Sequence, residues 1–443
     1  MLQRVLCSIR NPSCCRAVKA EIKEFSVSRG SIRIGIIGGG AAGLFAACQI
    51  KRLSAGRDIR VSLIEKSSIP GKKLTVTGHG RCNITNRKDV SLLKEGYHEA
   101  VNFIYPALKE FGPEDTICFM ENELGLKLKE EDNNRMFPVC DSAVVVRDTI
   151  LDYLKGSTEI ICDAKVIEVK KDGVFKVKPS KGSFDFDAIV LSCGGSSFPK
   201  TGSTGDSYKI AGMFGHTIVP LRGALAPVRL EDGSLGFASS LSGVSVTAKV
   251  SLLCGEKVTA SRTGEVLFAD FGLTGPAVMA ISREVPADIS GMNVSIEMDL
   301  IPSLSDEEFD RELQKLIGEH ADTKMATLLS RFAPASVAAE ICSKAGISGL
   351  YAQGFTKENR KKLIRETKHL RLGLKDVPQI EKAYVTRGGV SLKEVDRKTM
   401  QSKKVEGLYI IGEALDIDGV SGGYNLQACM SEAYLAARSI LEI

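Results

Sequence analysis

Residues 31–53 read SIRIGIIGGGAAGLFAACQIKRL, and the order of residue types within them decides the fold. Ser31 to Ile37 is a short β-branched run, the Ala-rich stretch beyond Gly43 is helix-forming, and glycines stand between the two. Gly38, Gly40 and Gly43 keep the G-x-G-x-x-G spacing. In that spacing the first glycine permits a tight turn, the second lets a diphosphate approach the backbone, and the third lets the helix pack on the strand. Ala41 and Ala42 then open a helix whose first amides face negative charge. The apolar stretch Ile34 to Ile50 has nearly the length of a membrane span, but its five glycines suit strand, turn and helix, so no membrane span is expected.

A second strand, Ile59 to Ile64, ends at Glu65, about 22 residues beyond Gly43, where an acidic ribose ligand belongs. A carboxylate there accepts from ribose hydroxyls and repels a 2′-phosphate, so the spacing predicts FAD or NAD and disfavours NADP. Lys66 follows, and then a loop, IPGKKLTVTGHGRCNITN (69–86), rich in glycine, basic and amide residues without an apolar period. Its Lys72, Lys73 and Arg81 are candidates to reach a pyrophosphate, and its backbone, through Cys82 and Asn83, to reach a flavin.

Further along, Glu159 to Val169 reads as a strand leading through Asp172-Gly173 into Val174 to Val177, with Val166 placed to meet adenine through its backbone. Phe186 to Ser192 reads as a buried strand running into Cys193, Gly194 and Gly195, where small residues let the chain pass close to a dinucleotide. At the far end, Leu408 to Ile411 precedes Gly412-Glu413 and a glycine turn at Gly423 that enters a helix. Glu413 suits a ribityl hydroxyl, and the amides near Tyr424, Asn425 and Leu426 suit negative charge at the N1/O2 edge of a reduced flavin. Two helix starts, one from each end of the chain, are thus expected to converge on one diphosphate.

The blocks GKKLTVTGHGRCNITN, NRMFP (134–138), CGGSSFPKTGSTGDSY (193–208), TRGGV (386–390) and GLYIIGEALDIDGVSGGYNLQ (407–427) resemble the motif series of the BaiN/aminoacetone-oxidase-like, or YhiN-type, flavoproteins. The likeness runs in order from about Ile32 to the C-terminus. It implies FAD held non-covalently in a Rossmann-like α/β domain of the two-dinucleotide-binding type, interrupted by an insert that is part β-barrel and part helical. One departure stands in FADFGLTGPA (268–277), where Asp270 occupies a position at which such proteins commonly carry His, so no His-dependent step is carried over.

The expected layout is an FAD domain over 31–221 and 384–443, with an insert over 222–383: strands to about 302, then helices over about 303–371. Such a length suits more than one domain, because single cores stop growing near about 250–300 residues. No second G-x-G-x-x-G follows a strand in the insert, so NAD(P)H, if used, visits the flavin transiently.

The first thirty residues carry six basic and two acidic side chains, +4 of the chain's +5, with Leu2, Val5, Leu6 and Ile9 on one helical face. They read as a transit peptide for a mitochondrion, with a chloroplast second and a plain cytosolic N-terminus as the bland alternative. The remaining +1 argues against a nucleic-acid partner. Twelve cysteines show no CxxC pair or zinc spacing, so they are read as reduced and no metal is expected.

The reading is an FAD-dependent oxidoreductase acting on a small molecule, with His79, Arg81, Cys82 and Tyr424 as polar candidates near the flavin and His216 as a structural histidine. Reduction of enone-like double bonds and oxidation of small amines both remain open. An FAD-dependent RNA-modifying enzyme and a non-catalytic flavin-binding interaction protein are the rival classes.

Overall fold

The computed structural model describes residues 31–442. The transit-peptide reading falls on residues 1–30 and lies outside the described residues. The described chain divides into two compact units, one of residues 31–194, 205–218 and 390–442, the other of 195–204 and 219–389.

The first unit is built on a five-stranded parallel sheet in the order Leu408–Ile410, Ala188–Leu191, Ile32–Ile37, Ile59–Ile64, Thr158–Ile161. Ala188–Leu191 is buried at every position, as a strand covered on both faces requires, and Ile34, Ile36 and Ile37 are equally enclosed. Burying each such side chain contributes about 1.5–3 kcal/mol relative to exposure. Ile32–Ile37 lies in the middle: the chain winds outward from it to Ile59–Ile64 on one side and later to Ala188–Leu191 on the other. The strand order therefore reverses between Ile32–Ile37 and Ala188–Leu191, and ligands of such sheets bind at that reversal, beyond the C-terminal strand ends.

The stretch tempting as a membrane span is the strand Ile32–Ile37 and the helix Ala41–Leu53, and among the described residues no helix is long and apolar enough to cross a membrane. Two small antiparallel sheets complete this unit, Thr85–Asn86 with Arg135–Pro138 and Leu128–Glu131, and Val166–Asp172 with Val174–Pro179 and Phe184–Phe186. The run read as one strand, Glu159 to Val169, is divided: Thr158–Ile161 joins the parallel sheet and Val166 starts the antiparallel one. Asp163, at φ 53°, makes the break, a left-handed conformation that Asp tolerates better than most residues. Phe186 to Ser192 is divided in the same way, after Phe186.

In the second unit a six-stranded antiparallel sheet runs Val228–Arg229, Gly272–Thr274, Lys257–Ala269, Ser245–Cys254, Val294–Asp299, Leu370–Gly373. Its two outer strands meet through a bridge between Leu230 and Leu374, with Glu231 N–H donating to Gly373 O at 3.0 Å and Lys375 N–H to Arg229 O at 2.9 Å. That contact closes the sheet into the expected small barrel. The helices Asp306–Glu319, Ala335–Lys344 and Lys357–Lys368 follow. Ser305 and Glu308 cap the first reciprocally, and its Phe309, Leu313 and Leu316 form the buried stripe. Asp270 is exposed at the turn between Lys257–Ala269 and Gly272–Thr274.

Candidate dinucleotide-binding site

The three fingerprint glycines occupy three different environments. Gly38 has φ 104°, and a Cβ there would lie 2.6 Å from Cys193 Cα, so the turn passes directly beside the end of the neighbouring strand. A Cβ on Gly43 would fall 2.0 Å from Gly38 O, which is the close helix-to-strand packing the third glycine allows. Around Gly40, by contrast, a Cβ would meet only Ser192 O, at 3.9 Å. The protein crowds the first and third glycines and leaves the second open on the side where a diphosphate would approach.

Gly40 is also the N-cap of Ala41–Leu53, with no side-chain cap and no acidic residue in the first turn. Helix starts ordinarily recruit Ser, Thr, Asp or Asn to satisfy their first amides. Here no side chain caps the helix, so the amides of Ala41, Ala42 and Gly43 are the ones that could take an external anion. The helix Tyr424–Ile440 begins in the same way at Gly423, again with no side-chain cap and no acidic first turn.

Glu65 ends its strand with both carboxylate oxygens directed at the turn: Oε2 accepts Gly39 N–H and Oε1 accepts Ser67 N–H, each at 2.7 Å. Each oxygen keeps a further lone pair for a ribose hydroxyl. Next to it, Lys66 Nζ lies 2.5 Å from Asp206 Oδ2, and Val166 stands half-buried at the start of its strand. Cys193 donates its thiol to Ile37 O, and burial pushes that thiol up to about 12, so it is a packing group and not a thiolate. Gly194 follows at φ 74°, while Gly195 belongs to the second unit.

The C-terminal Gly-Glu segment joins this group. Gly412 packs on the first turn of Ala41–Leu53, where a Cβ at 412 would lie 2.7 Å from Ala42 Cβ. Glu413 Oε2 takes Lys73 Nζ at 2.7 Å, bringing the loop after Glu65 to the same turn, and Tyr208 donates its hydroxyl to Glu413 O at 3.2 Å. The chain neighbours of Tyr208 offer no sequence signal for this contact.

The rest of the loop has a structural task. Arg81 is bound by Glu131 and Asp141 and lies 4.3 Å over the Phe137 ring, so its guanidinium is engaged within the antiparallel sheet region and the ammonium at the Gly-Glu turn is that of Lys73. Hydrogen bonds from Arg81 hold Glu131 below the usual carboxylate range, and Lys129 together with Arg81 does the same for Asp141. Cys82 has φ 64° and is fully buried, and burial pushes its thiol up to about 12. With its amide Nδ2 donating to Thr85 O and Oδ1 accepting Gly423 N–H, both at 3.2 Å, Asn83 ties the loop to the second helix start. Asn425 closes the loop before that start, exchanging hydrogen bonds with Gly419 at 2.8 and 2.9 Å, and Leu426 is buried beneath it.

Tyr424 is buried, its backbone carbonyl accepts Tyr97 Oη–H at 2.8 Å, and Lys88 Nζ stands 3.3 Å from its hydroxyl. The Lys94–Ala100 segment that brings Tyr97 was missed in the sequence, because it lacks both period and motif. His79 is exposed at φ 57°. His216 is enclosed between Glu394 (3.1 Å) and Ser402 (2.8 Å), as a structural histidine would be.

Residues 32–439 match the HI0933-like protein Rossmann domain family. The chain belongs to that family. As an HI0933-like protein it is 31% identical to the "3-dehydro-bile acid delta(4,6)-reductase" of Clostridium scindens, over 93% of this chain and 99% of the relative. It is 30% identical to the "Ribosomal RNA dihydrouridine synthase" of Haemophilus influenzae, over 91% of this chain and 97% of that one, and 31% identical to the Escherichia coli protein of the same name, over 92% and 97%. At family level this HI0933-like protein is an FAD-dependent oxidoreductase. The near-neutral charge does not exclude RNA as a partner, since relatives this similar carry RNA-modifying names; local contacts, and not net charge, govern such recognition.

Proposed function

We propose that this HI0933-like protein is an FAD-dependent reductase that adds hydrogen across a carbon–carbon double bond conjugated to a carbonyl. The observation that carries the cofactor half of this reading is Gly412 against Ala42: it sets the Gly-Glu turn beside the uncapped start of Ala41–Leu53. The relatives' names support the direction of the reaction. A delta(4,6)-reductase of a 3-oxo steroid acid and a dihydrouridine synthase both saturate such a bond, and neither name describes amine oxidation.

In this reading the amides of Ala41, Ala42 and Gly43 bind the diphosphate, and the carboxylate of Glu65 takes the ribose hydroxyls. Glu413, set by Lys73, orients the ribityl chain. The amides that open Tyr424–Ile440 face the pyrimidine edge of the ring and favour negative charge there. FAD, when bound, supplies hydride transfer. NADH or NADPH is the proposed transient donor, and a small α,β-unsaturated carbonyl compound is the leading substrate class. A uridine within RNA is the second reading, favoured by the two dihydrouridine synthases at 30% and 31% identity.

The test is anaerobic. The purified protein should be yellow, should be bleached by NADH or NADPH, and should regain colour when mixed with a conjugated enone or with unmodified ribosomal RNA. A colourless protein without affinity for FAD sinks the proposal, and so does a flavin reduced by amines and by neither pyridine nucleotide.

A further inference from the structure

The helix Tyr424–Ile440 buries a stripe of small side chains, among them Ala428, Ala433 and Ala436, and Glu432 stands within it, itself wholly buried. Its Oε2 accepts Gly412 N–H at 2.5 Å, and its Oε1 has no hydrogen-bond partner among the described residues. No cation faces it. The Tyr97 phenol and the Cys429 thiol lie within electrostatic reach of it, both raised by burial beyond the range in which they would ionise near neutrality. On the far side of Gly412, Lys73 is paired with Glu413. On the packed neighbouring helices, Lys51 binds Tyr153 O, Arg52 pairs with Glu123, and Glu110 pairs with Arg438. An ionised Glu432 would thus be a buried charge with one hydrogen bond and no counter-ion, far costlier than a neutral acid whose carbonyl oxygen accepts from Gly412.

We propose that Glu432 is a positioning residue that works as a neutral acid: through Gly412 it fixes the Gly412–Glu413 turn, and its ionisation loosens the dinucleotide which that turn holds. The proposal rests on the FAD reading above. Burial supports it by pushing the Glu432 carboxyl up to about 8, with the Gly412 hydrogen bond opposing. Below an unfolded-state value of about 4.3 the acid is protonated whether folded or not. From there to about 8 only the unfolded chain sheds the proton, so folding loses stability across that window. Above about 8 the folded protein ionises as well, and the new charge lies under the turn.

The experiment compares the full-length wild type with E432Q, which keeps an acceptor oxygen for Gly412 and cannot ionise. Without FAD, the melting temperature of the wild type should fall relative to E432Q between about pH 5 and pH 8 and hold a constant offset above that. With FAD, the wild-type dissociation constant should rise about tenfold between about pH 7 and pH 9.5 while that of E432Q stays flat, as expected for an ionisation at which cofactor and charge oppose each other. An identical rise in E432Q, or no stability offset between the two proteins, overturns the proposal. If E432Q does not fold, a wild-type FAD affinity that is flat over the same range overturns it. If the wild type binds no FAD at any pH, the proposed function fails instead, and the cofactor-free melting comparison still upholds or overturns the neutral acid.

Discussion

Gly412 sits so close to Ala42 that a Cβ at position 412 would lie 2.7 Å from the alanine's own, and its φ is 70°. A side chain at 412 meets both a steric and a backbone penalty. Gly412→Ala should therefore lower stability by about 1–3 kcal/mol and weaken FAD binding together. Urea denaturation with and without FAD measures both; an unchanged midpoint would show that the two segments do not pack as described.

Gly40 and Gly43 separate ligand from packing. Gly40→Ala meets open space and should change the stability of the FAD-free protein by less than about 1 kcal/mol, while FAD affinity falls steeply as the methyl group blocks the diphosphate. Gly43→Ala, at 2.0 Å from Gly38 O, should destabilise the protein whether or not FAD is present. The two outcomes reversed would refute the open side of the turn.

Glu65→Gln keeps one oxygen for the Gly39 or Ser67 amide and removes the charge. Charged hydrogen bonds contribute about 1.5–3 kcal/mol, so FAD affinity should drop about tenfold or more, with NADP-like 2′-phosphates better tolerated than before. Fluorescence titration with FAD reads the first, and competition by 2′-phosphorylated nucleotides reads the second.

Acidification should unfold the protein in two stages that pass through one cluster. Burial lowers His216, with Glu394 opposing, so below about 6.5 the unfolded chain takes a proton that the folded histidine refuses. Stability is lost as the pH falls through that window. Burial works against ionised Glu394, but Lys404, Thr217 and His216 together hold it down at about 2, so its contribution is present above about 4.3 and lost toward 2. His216→Gln should flatten the upper stage of a melting-temperature profile, and move the lower stage upward in pH only as far as Glu394 loses its hydrogen bond from the imidazole.

Residues 1–30 fused ahead of a fluorescent protein should direct it to mitochondria. Diffuse cytosolic fluorescence would refute the transit-peptide reading.

Much of the nucleotide turn was legible because it is local. Gly38, Gly40, Gly43 and Glu65 stand at fixed distances along the chain, and spacing alone places them at one turn. Contacts made by distant segments were not. Nothing near Arg81 announces Glu131 and Asp141, nothing near Tyr97 announces Tyr424, and Asp163 stands between two β-branched stretches, Ile160-Ile161 and Val166-Ile167, close enough to read as one strand. Glu432 does leave a trace in the sequence, an acidic residue four positions from Ala428 and four from Ala436, on the helical face that those alanines bury. Barrel closure at Leu230 and Leu374 joins positions 144 residues apart, which alternation within single strands cannot reveal.

The strand Leu408–Ile410 forms an outer rail of the parallel sheet and is synthesised well after the other four strands. Until it emerges from the ribosome, Ala188–Leu191 is an open, wholly apolar edge, and neither Gly412 nor Glu413 exists to meet Ala42. A nascent polypeptide halted before residue 408 would therefore present a sticky border for chaperones to shield or proteases to clear.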